Sequence, residues 1–156
     1  MTGTTRGFMK ISFKGDYALK IILDLALRHG QVNSIKDISK RQDIPEKFLE
    51  QIITLLKGAG FVKTIRGPKG GVLLAKEPSQ ITMGDIVRLT EGPTSPITCV
   101  SRSCYAKCSY EDKCAFKPVF ENVRDKTNEI IDKTTFEELA FKSRQLEEKN
   151  IVDYSI

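Results

Sequence analysis

The chain has one histidine, His29, and no apolar run long enough to cross a membrane. A single imidazole rules out a histidine-rich metal site, and its place at the end of a helical pattern suits a dipole-facing cap better than a ligand. A bilayer span needs about 20 predominantly apolar residues, and the opening MTGTTRGFMK lacks the hydrophobic stretch of a secretion signal. The expected location is therefore the cytoplasm, and residues 1–8 are given no role. A phosphate-cradling glycine loop and a pair of catalytic side chains are also missing. An oxidoreductase or electron carrier would have only the cysteines to stand on, and no enzyme activity is expected.

The chain is 156 residues long, with 40% hydrophobic and 29% charged residues. That size and balance fit one soluble globular domain, or one domain with an interaction arm. The net charge of +5 is unevenly placed: residues 1–78 hold 14 Lys/Arg against 7 Asp/Glu, and residues 79–156 hold 11 against 13. The basic half is where a polyanion would be met.

Within that half, Ser34 reads as the N-cap of a short helix over SIKDISKRQDI, which ends in a turn near Gln42 and Asp43. A second helix starts at Pro45, whose missing N–H suits a first helical position, and stops at Gly60. At 100° per residue, Phe48, Leu49, Ile52, Ile53, Leu55 and Leu56 share one side; Glu46, Lys47, Glu50, Thr54 and Lys57 share the other, with Gln51 at the margin. The pair reads as a helix-turn-helix, whose second helix enters the major groove. FVKTIRGPKGGVLLA follows as a hairpin, a basic wing with Arg66 and Lys69 at its tip. Ahead of this unit, Lys14 to His29 forms a helix closed by Gly30, with Asp16 in its first turn.

Beyond the wing, Thr82 caps a helix that ends at Gly92. Residues 93–114 carry two prolines, no apolar period and all four cysteines, Cys99, Cys104, Cys108 and Cys114. A cytoplasmic location favours thiols or metal ligands over structural disulfides. Zinc sites usually pair their cysteines two and two, and this C-x4-C-x3-C-x5-C spacing does not. Zinc and an iron–sulfur cluster both stay open on spacing, with a modest lean to the cluster. A helix from Ala115 to about Lys133 then places Phe116, Phe120, Val123, Thr127, Ile130 and Thr134 at alternating steps of four and three. That seam points to a homodimer, because a major-groove reader gains specificity from two symmetric half-sites. Thr135 and Glu138 form a capping box for a last helix, and the tail from Asn150 is expected to be loose.

The run FLEQI at 48–52, LKGAGFV at 56–62, RGPKGG at 66–71, ITMGDIV at 81–87 and Glu91-Gly92 resembles the IscR/NsrR-type winged-helix transcriptional regulators, an Rrf-type, cluster-binding family. The likeness runs from about Met9 onward. It implies a mainly α fold with a small β-hairpin: a winged helix-turn-helix domain at 9–92, a cysteine loop at 93–114, and a dimerisation helix with a C-terminal helix at 115–150. It matches Gln51 and Arg66 to DNA-contacting positions and Glu50 to one that tunes sequence choice. Lys47, Thr54 and Lys69 complete the expected DNA surface.

The resemblance also implies a [2Fe-2S] or [4Fe-4S] cluster on Cys99, Cys108 and Cys114, with Cys104 as an alternative ligand. The histidine that serves as fourth ligand in the IscR-like branch is replaced by Lys117, a poor ligand while protonated. In the NsrR-like branch an aspartate of the first helix has that role, and Asp16 stands in its place. The expected function is a cytoplasmic, homodimeric, sequence-specific regulator that binds double-stranded DNA and senses redox state, nitric oxide or cluster status. The alternatives are a thiol/disulfide sensor or a zinc-binding repressor on the same winged helix.

Overall fold

The computed structural model describes residues 11–153, and the side chains of residues 11–150. The described residues form six α-helices and one two-stranded antiparallel sheet, a mainly α winged-helix architecture. The N-terminal leader, with the family-like start at Met9 and Lys10, lies outside the described residues.

Helix α1 (Phe13–Leu27) is the centre of the fold, packing on the second, third, fourth and last helices and on the second strand. Ala18, Ile21, Ile22, Leu25 and Ala26 lie on its buried stripe, the spacing that commits one face of a helix to the core. Ser12 caps it, its Oγ accepting from the Gly15 N–H at 3.2 Å. The same hydroxyl donates to Glu91 at 2.7 Å, which ties the start of α1 to the end of the fourth helix.

Helices α2 (Ile35–Gln42) and α3 (Glu46–Gly58) are joined through Asp43, which takes the left-handed conformation at φ 51°. Ser34 caps α2 by accepting from the Asp37 N–H at 3.1 Å. α3 ends in a Schellman motif, with Gly60 at φ 77° and the Phe61 N–H returning to Leu56 O at 3.0 Å. Strands β1 (Val62–Ile65) and β2 (Gly71–Leu74) pair in register Val62 to Leu74 through Ile65 to Gly71. The backbones of Val72 and Asn33 exchange hydrogen bonds at 2.8 and 2.9 Å, so the wing is fastened to the segment that launches α2.

Helix α4 (Met83–Glu91) opens with a Thr82/Asp85 capping box, and α6 (Phe136–Asp153) with the Thr135/Glu138 pair expected from sequence. The two starts are joined: Met83 N–H donates to Thr134 O at 2.8 Å and Phe136 N–H to Ile81 O at 2.9 Å. Phe136 is fully buried there. A loose tail is expected from Asn150; α6 runs as far as Asp153, and the last three positions of that tail lie outside the described residues.

Helix α5 (Lys117–Lys133) starts two residues later than Ala115, with Pro118 in its first turn, where a missing N–H is harmless. Its seam also differs from the expected one. Phe120, Thr127 and Thr134 are half-buried against their own domain, whereas Phe116, Val119, Val123 and Ile130 stand exposed. The inner face takes the 120, 124, 127 or 128 and 131 track, and the outer stripe keeps Phe116, Val123 and Ile130 at steps of seven with Val119 in place of Phe120.

Candidate nucleic-acid interface and cysteine loop

Every residue expected to meet DNA is exposed: Lys47, Glu50, Gln51 and Thr54 along α3, and Arg66 and Lys69 on the wing. Leu49, Ile52, Ile53 and Leu56 bury the opposite side of α3 and fix which face looks outward. Phe48 departs from its expected place in the core and is 56% exposed at the edge of the outer face. Thr54 spends its hydroxyl on Glu50 O at 2.8 Å, and Lys57 donates to Thr64 at 2.9 Å, linking α3 to the wing.

Charge pairing is sparser in the basic half of the chain than in the other half. Lys20, Lys117, Lys126, Lys133, Arg88, Arg102 and Arg124 each meet a carboxylate within 4 Å. Among the described residues Lys47, Arg66 and Lys69 make no ion pair, and neither do Lys36, Lys40, Lys57 and Lys63 of α2, α3 and the wing, so the positive charge of the winged helix is largely uncompensated. That is the arrangement a phosphate backbone requires.

The wing tip turns on Gly67 at φ 111°, closed by the Gly70 N–H donating to Gly67 O at 2.9 Å. A Cβ on Gly70 or Gly71 would drive into the carbonyls of Ile65 or Asn33. These glycines therefore hold the hairpin tight against the domain and set where Arg66 and Lys69 point.

A buried ionic cluster holds the reading unit in place and was missed in the sequence. Asp24, 1% exposed, accepts from Arg41 Nε at 3.0 Å and Nη2 at 2.7 Å, from Arg28 at 2.9 Å and from Gln42 at 3.0 Å. Arg41 also donates to Asn33 at 2.9 Å. The carboxylate raises the pKa of Arg41 further and clamps α2 onto α1. A signal was present: Asp24 interrupts the apolar run IILDLAL on the face that Ile21 and Leu25 bury.

In the loop after α4, Cys99 is buried in a short 3₁₀ turn, Cys104 and Cys108 are exposed, and Cys114 is half-buried; none is in a disulfide. Glu111 organises the second half of the loop. It accepts from Lys117 Nζ at 2.6 Å, Tyr105 OH at 2.9 Å and the Cys108 N–H at 3.4 Å, and its own carbonyl receives the Cys114 N–H at 3.3 Å. The Lys117 ammonium and then the Tyr105 hydroxyl hold the Glu111 carboxyl below its ordinary range, and Glu111 raises Lys117 and Tyr105 in return. Lys117 is thus bound as an ammonium, consistent with its being no metal ligand.

Asp16 lies on the first turn of α1, paired with Lys20 at 2.7 Å. Among the described residues no three Cys, His, Asp or Glu side chains of the chain gather to hold a metal. In kind, the donor set suits a thiolate-bound group, since four free thiols share one segment. His29 lies at 3.2 Å from Glu77, just past the end of α1.

The family model described as "Iron-dependent Transcriptional regulator" matches residues 11–142, almost all of the described chain. The chain belongs to the Rrf2 family. Rrf2 proteins are transcriptional regulators, not a catalytic family. The chain is 41% identical over 133 residues to the HTH-type transcriptional regulator CymR of Bacillus subtilis, covering 85% of this chain and 90% of the relative. The solved structure of that CymR, described as the global cysteine regulator, aligns with TM-score 0.71 at 39% identity, covering 85% of this chain and 97% of that one. IscR of T. potens aligns with TM-score 0.66 at 35% identity over 86% and 88%. An oxidized form of Staphylococcus aureus CymR aligns with TM-score 0.67 at 32% identity over 84% and 95%. No helix among the described residues of this Rrf2 chain is long and apolar enough to cross a membrane.

Proposed function

We propose that the chain is a homodimeric, sequence-specific regulator that reads double-stranded DNA with α3 and the wing and receives its signal at the cysteine loop. The single observation that carries the DNA part is the set of unpaired cations, Lys47, Arg66 and Lys69, on a face whose other polar groups, Glu50 and Gln51, are free to meet base edges. Two copies joined through Phe116, Val119, Val123 and Ile130 of α5 would present two such faces to two half-sites.

For the signal, the reading favours an iron–sulfur cluster held by Cys99, Cys108 and Cys114, with Cys104 as the substitute, and by Asp16 of a second copy. What supports it is four free thiols on one segment, the description of the family as iron-dependent, and the likeness to IscR. Such a group supplies reversible electron exchange and reactivity toward oxidants or nitric oxide. The loop would pass its state on because it runs from α4 of the reading domain into α5 of the dimer contact. A small rotation of the two heads spoils the fit to a fixed half-site spacing.

A second reading, a thiol/disulfide switch on the same loop, is favoured by the exposure of Cys104 and Cys108 and by the likeness to a CymR solved in an oxidized form. One experiment separates the two. Protein purified anaerobically and assayed for iron, sulfide, zinc and visible absorption should be coloured, with iron and sulfide in matching amounts. Colourless protein that forms a Cys104 to Cys108 disulfide under mild peroxide, with altered DNA affinity, would replace the cluster by the switch. A colourless, zinc-loaded protein would defeat both.

A further inference from the structure

Residues 79–156 carry four arginines and seven lysines. Three of those arginines, Arg88, Arg102 and Arg124, converge on one pocket of about 180 Å³ between α4, the cysteine loop and α5. That half of the chain is net acidic, so the clustering is not a by-product of a basic surface. Arginine in place of lysine is the choice where a planar fork must grip an oxyanion through two parallel N–H bonds.

The remaining lining is Pro93, Thr94, Ser95, Ser101, Ser103 and Asn128, nearly all donors. Ser95 lines the pocket as a largely buried residue. Thr94 is bonded to Asn128 Oδ1, which leaves the two N–H groups of the Asn128 amide free. Among the described residues no buried side-chain polar atom lacks a partner, so the donors on this concavity that make no bond to the protein are ones that solvent, or a ligand in its place, can reach. Two carboxylates adjoin the arginines, Asp125 on Arg102 and Arg124, and Asp132 on Arg88; both are exposed and neither lines the pocket. Arg88 and Arg102 each spend one Nη2 contact on them, so most of their N–H donors remain available. Arg124 is set more firmly, donating to Val100 O as well as to Asp125.

We infer that this pocket binds a small oxyanion, the phosphate or carboxylate head of a low-molecular-weight ligand. Its volume is below the about 300–1,000 Å³ of sites for drug-sized molecules, which limits the ligand to a head with a short body. Ser101, Arg102 and Ser103 sit between Cys99 and Cys104, so an occupied pocket fastens the cysteine loop to α4 and α5 at once. That regulatory consequence rests on the function proposed above, whereas the binding itself does not.

The test is isothermal titration of the full chain, without DNA, with inorganic phosphate and with succinate, each against sodium chloride of equal ionic strength. Saturable binding of one anion per protomer is expected. Binding of phosphate alone assigns a phosphorylated ligand, of succinate alone a carboxylate, and of both a general oxyanion site. Arg102→Gln, at a position 72% exposed whose loss leaves the fold intact, should weaken binding about tenfold or more, as loss of a charge-assisted fork does. Arg102→Lys should not restore it, and Ser95→Ala should weaken it as well. The wing pair Arg66→Ala/Lys69→Ala should leave it unchanged. Neither anion binding above the chloride control, or binding lost in the wing pair but kept in Arg102→Gln, overturns the inference.

Discussion

Replacing Asp24 by alanine tests how the reading heads are held. The carboxylate is buried and takes a two-pronged hydrogen bond from Arg41, with further bonds from Arg28 and Gln42. Removing one partner of a buried ion pair costs about 3–5 kcal/mol, mostly because the other charge is stranded. Here the stranded groups are Arg41 and Arg28, 28% and 35% exposed, which water can partly rehydrate. The loss should therefore fall near the lower end, about 3 kcal/mol. With a urea slope of about 1–3 kcal/mol/M, the unfolding midpoint should drop by about 1–3 M. The assay is urea denaturation followed by circular dichroism at one fixed protomer concentration, since association shifts apparent stability. Arg41→Ala should be similarly harmful, and the double variant should be less harmful than the two losses added, because the pair shares one interaction. A midpoint shift under about 0.5 M for Asp24→Ala, or strict additivity in the double variant, would refute the idea that this cluster clamps α2 to α1.

Three other outcomes follow from the same structure. Lys69→Ala should weaken DNA binding to a similar degree across sequences and flatten the salt dependence of log K by about 0.9 per protomer, about 1.8 for a dimer on two half-sites, read by fluorescence anisotropy at several salt concentrations. Val123→Glu, placed on the exposed stripe of α5, should turn a dimer into a monomer in light scattering while leaving the helical spectrum intact. For Glu111 the folded carboxyl is lowered and Lys117 is raised. The pair's contribution to loop order is therefore whole from above the usual carboxylate pKa, about 4.3, up to the usual lysine pKa, about 10.4. It fades as pH falls through the lowered Glu111 value or rises through the raised Lys117 value. The protection factors of the Cys108 and Cys114 amides, that is, hydrogen exchange corrected for the intrinsic rate at each pH, should be highest within that window, and Glu111→Gln should remove the acid limb.

The helix-turn-helix, the wing and the three side-chain caps at Ser34, Thr82 and Thr135 were legible because each rests on local chemistry: a short polar side chain before an apolar period, or glycine where φ is positive. Phe48 was misplaced because it lies at the border of two helix faces, where a 100° wheel cannot assign an edge residue. The expected α5 seam mixed members of two stripes, Phe116, Val123 and Ile130 facing out and Phe120, Thr127 and Thr134 facing the domain, because period alone cannot rank two stripes that share a helix. Asp24 with Arg41, Ser12 with Glu91, and the convergence of Arg88, Arg102 and Arg124 are tertiary. Their partners lie 17 to 79 residues apart for the first two, beyond the reach of any local pattern.

The central claim is that a positively charged reading face and a thiol loop belong to one device. Its most direct test takes a duplex enriched from random sequence by the anaerobic protein and measures its affinity before and after exposure to oxidant, for the native chain and for Cys99→Ser/Cys108→Ser/Cys114→Ser. The account predicts that the native chain changes affinity on exposure and that the triple variant still binds duplex but no longer responds. Enrichment of no sequence over competitor DNA, or an unchanged response in the triple variant, would contradict it.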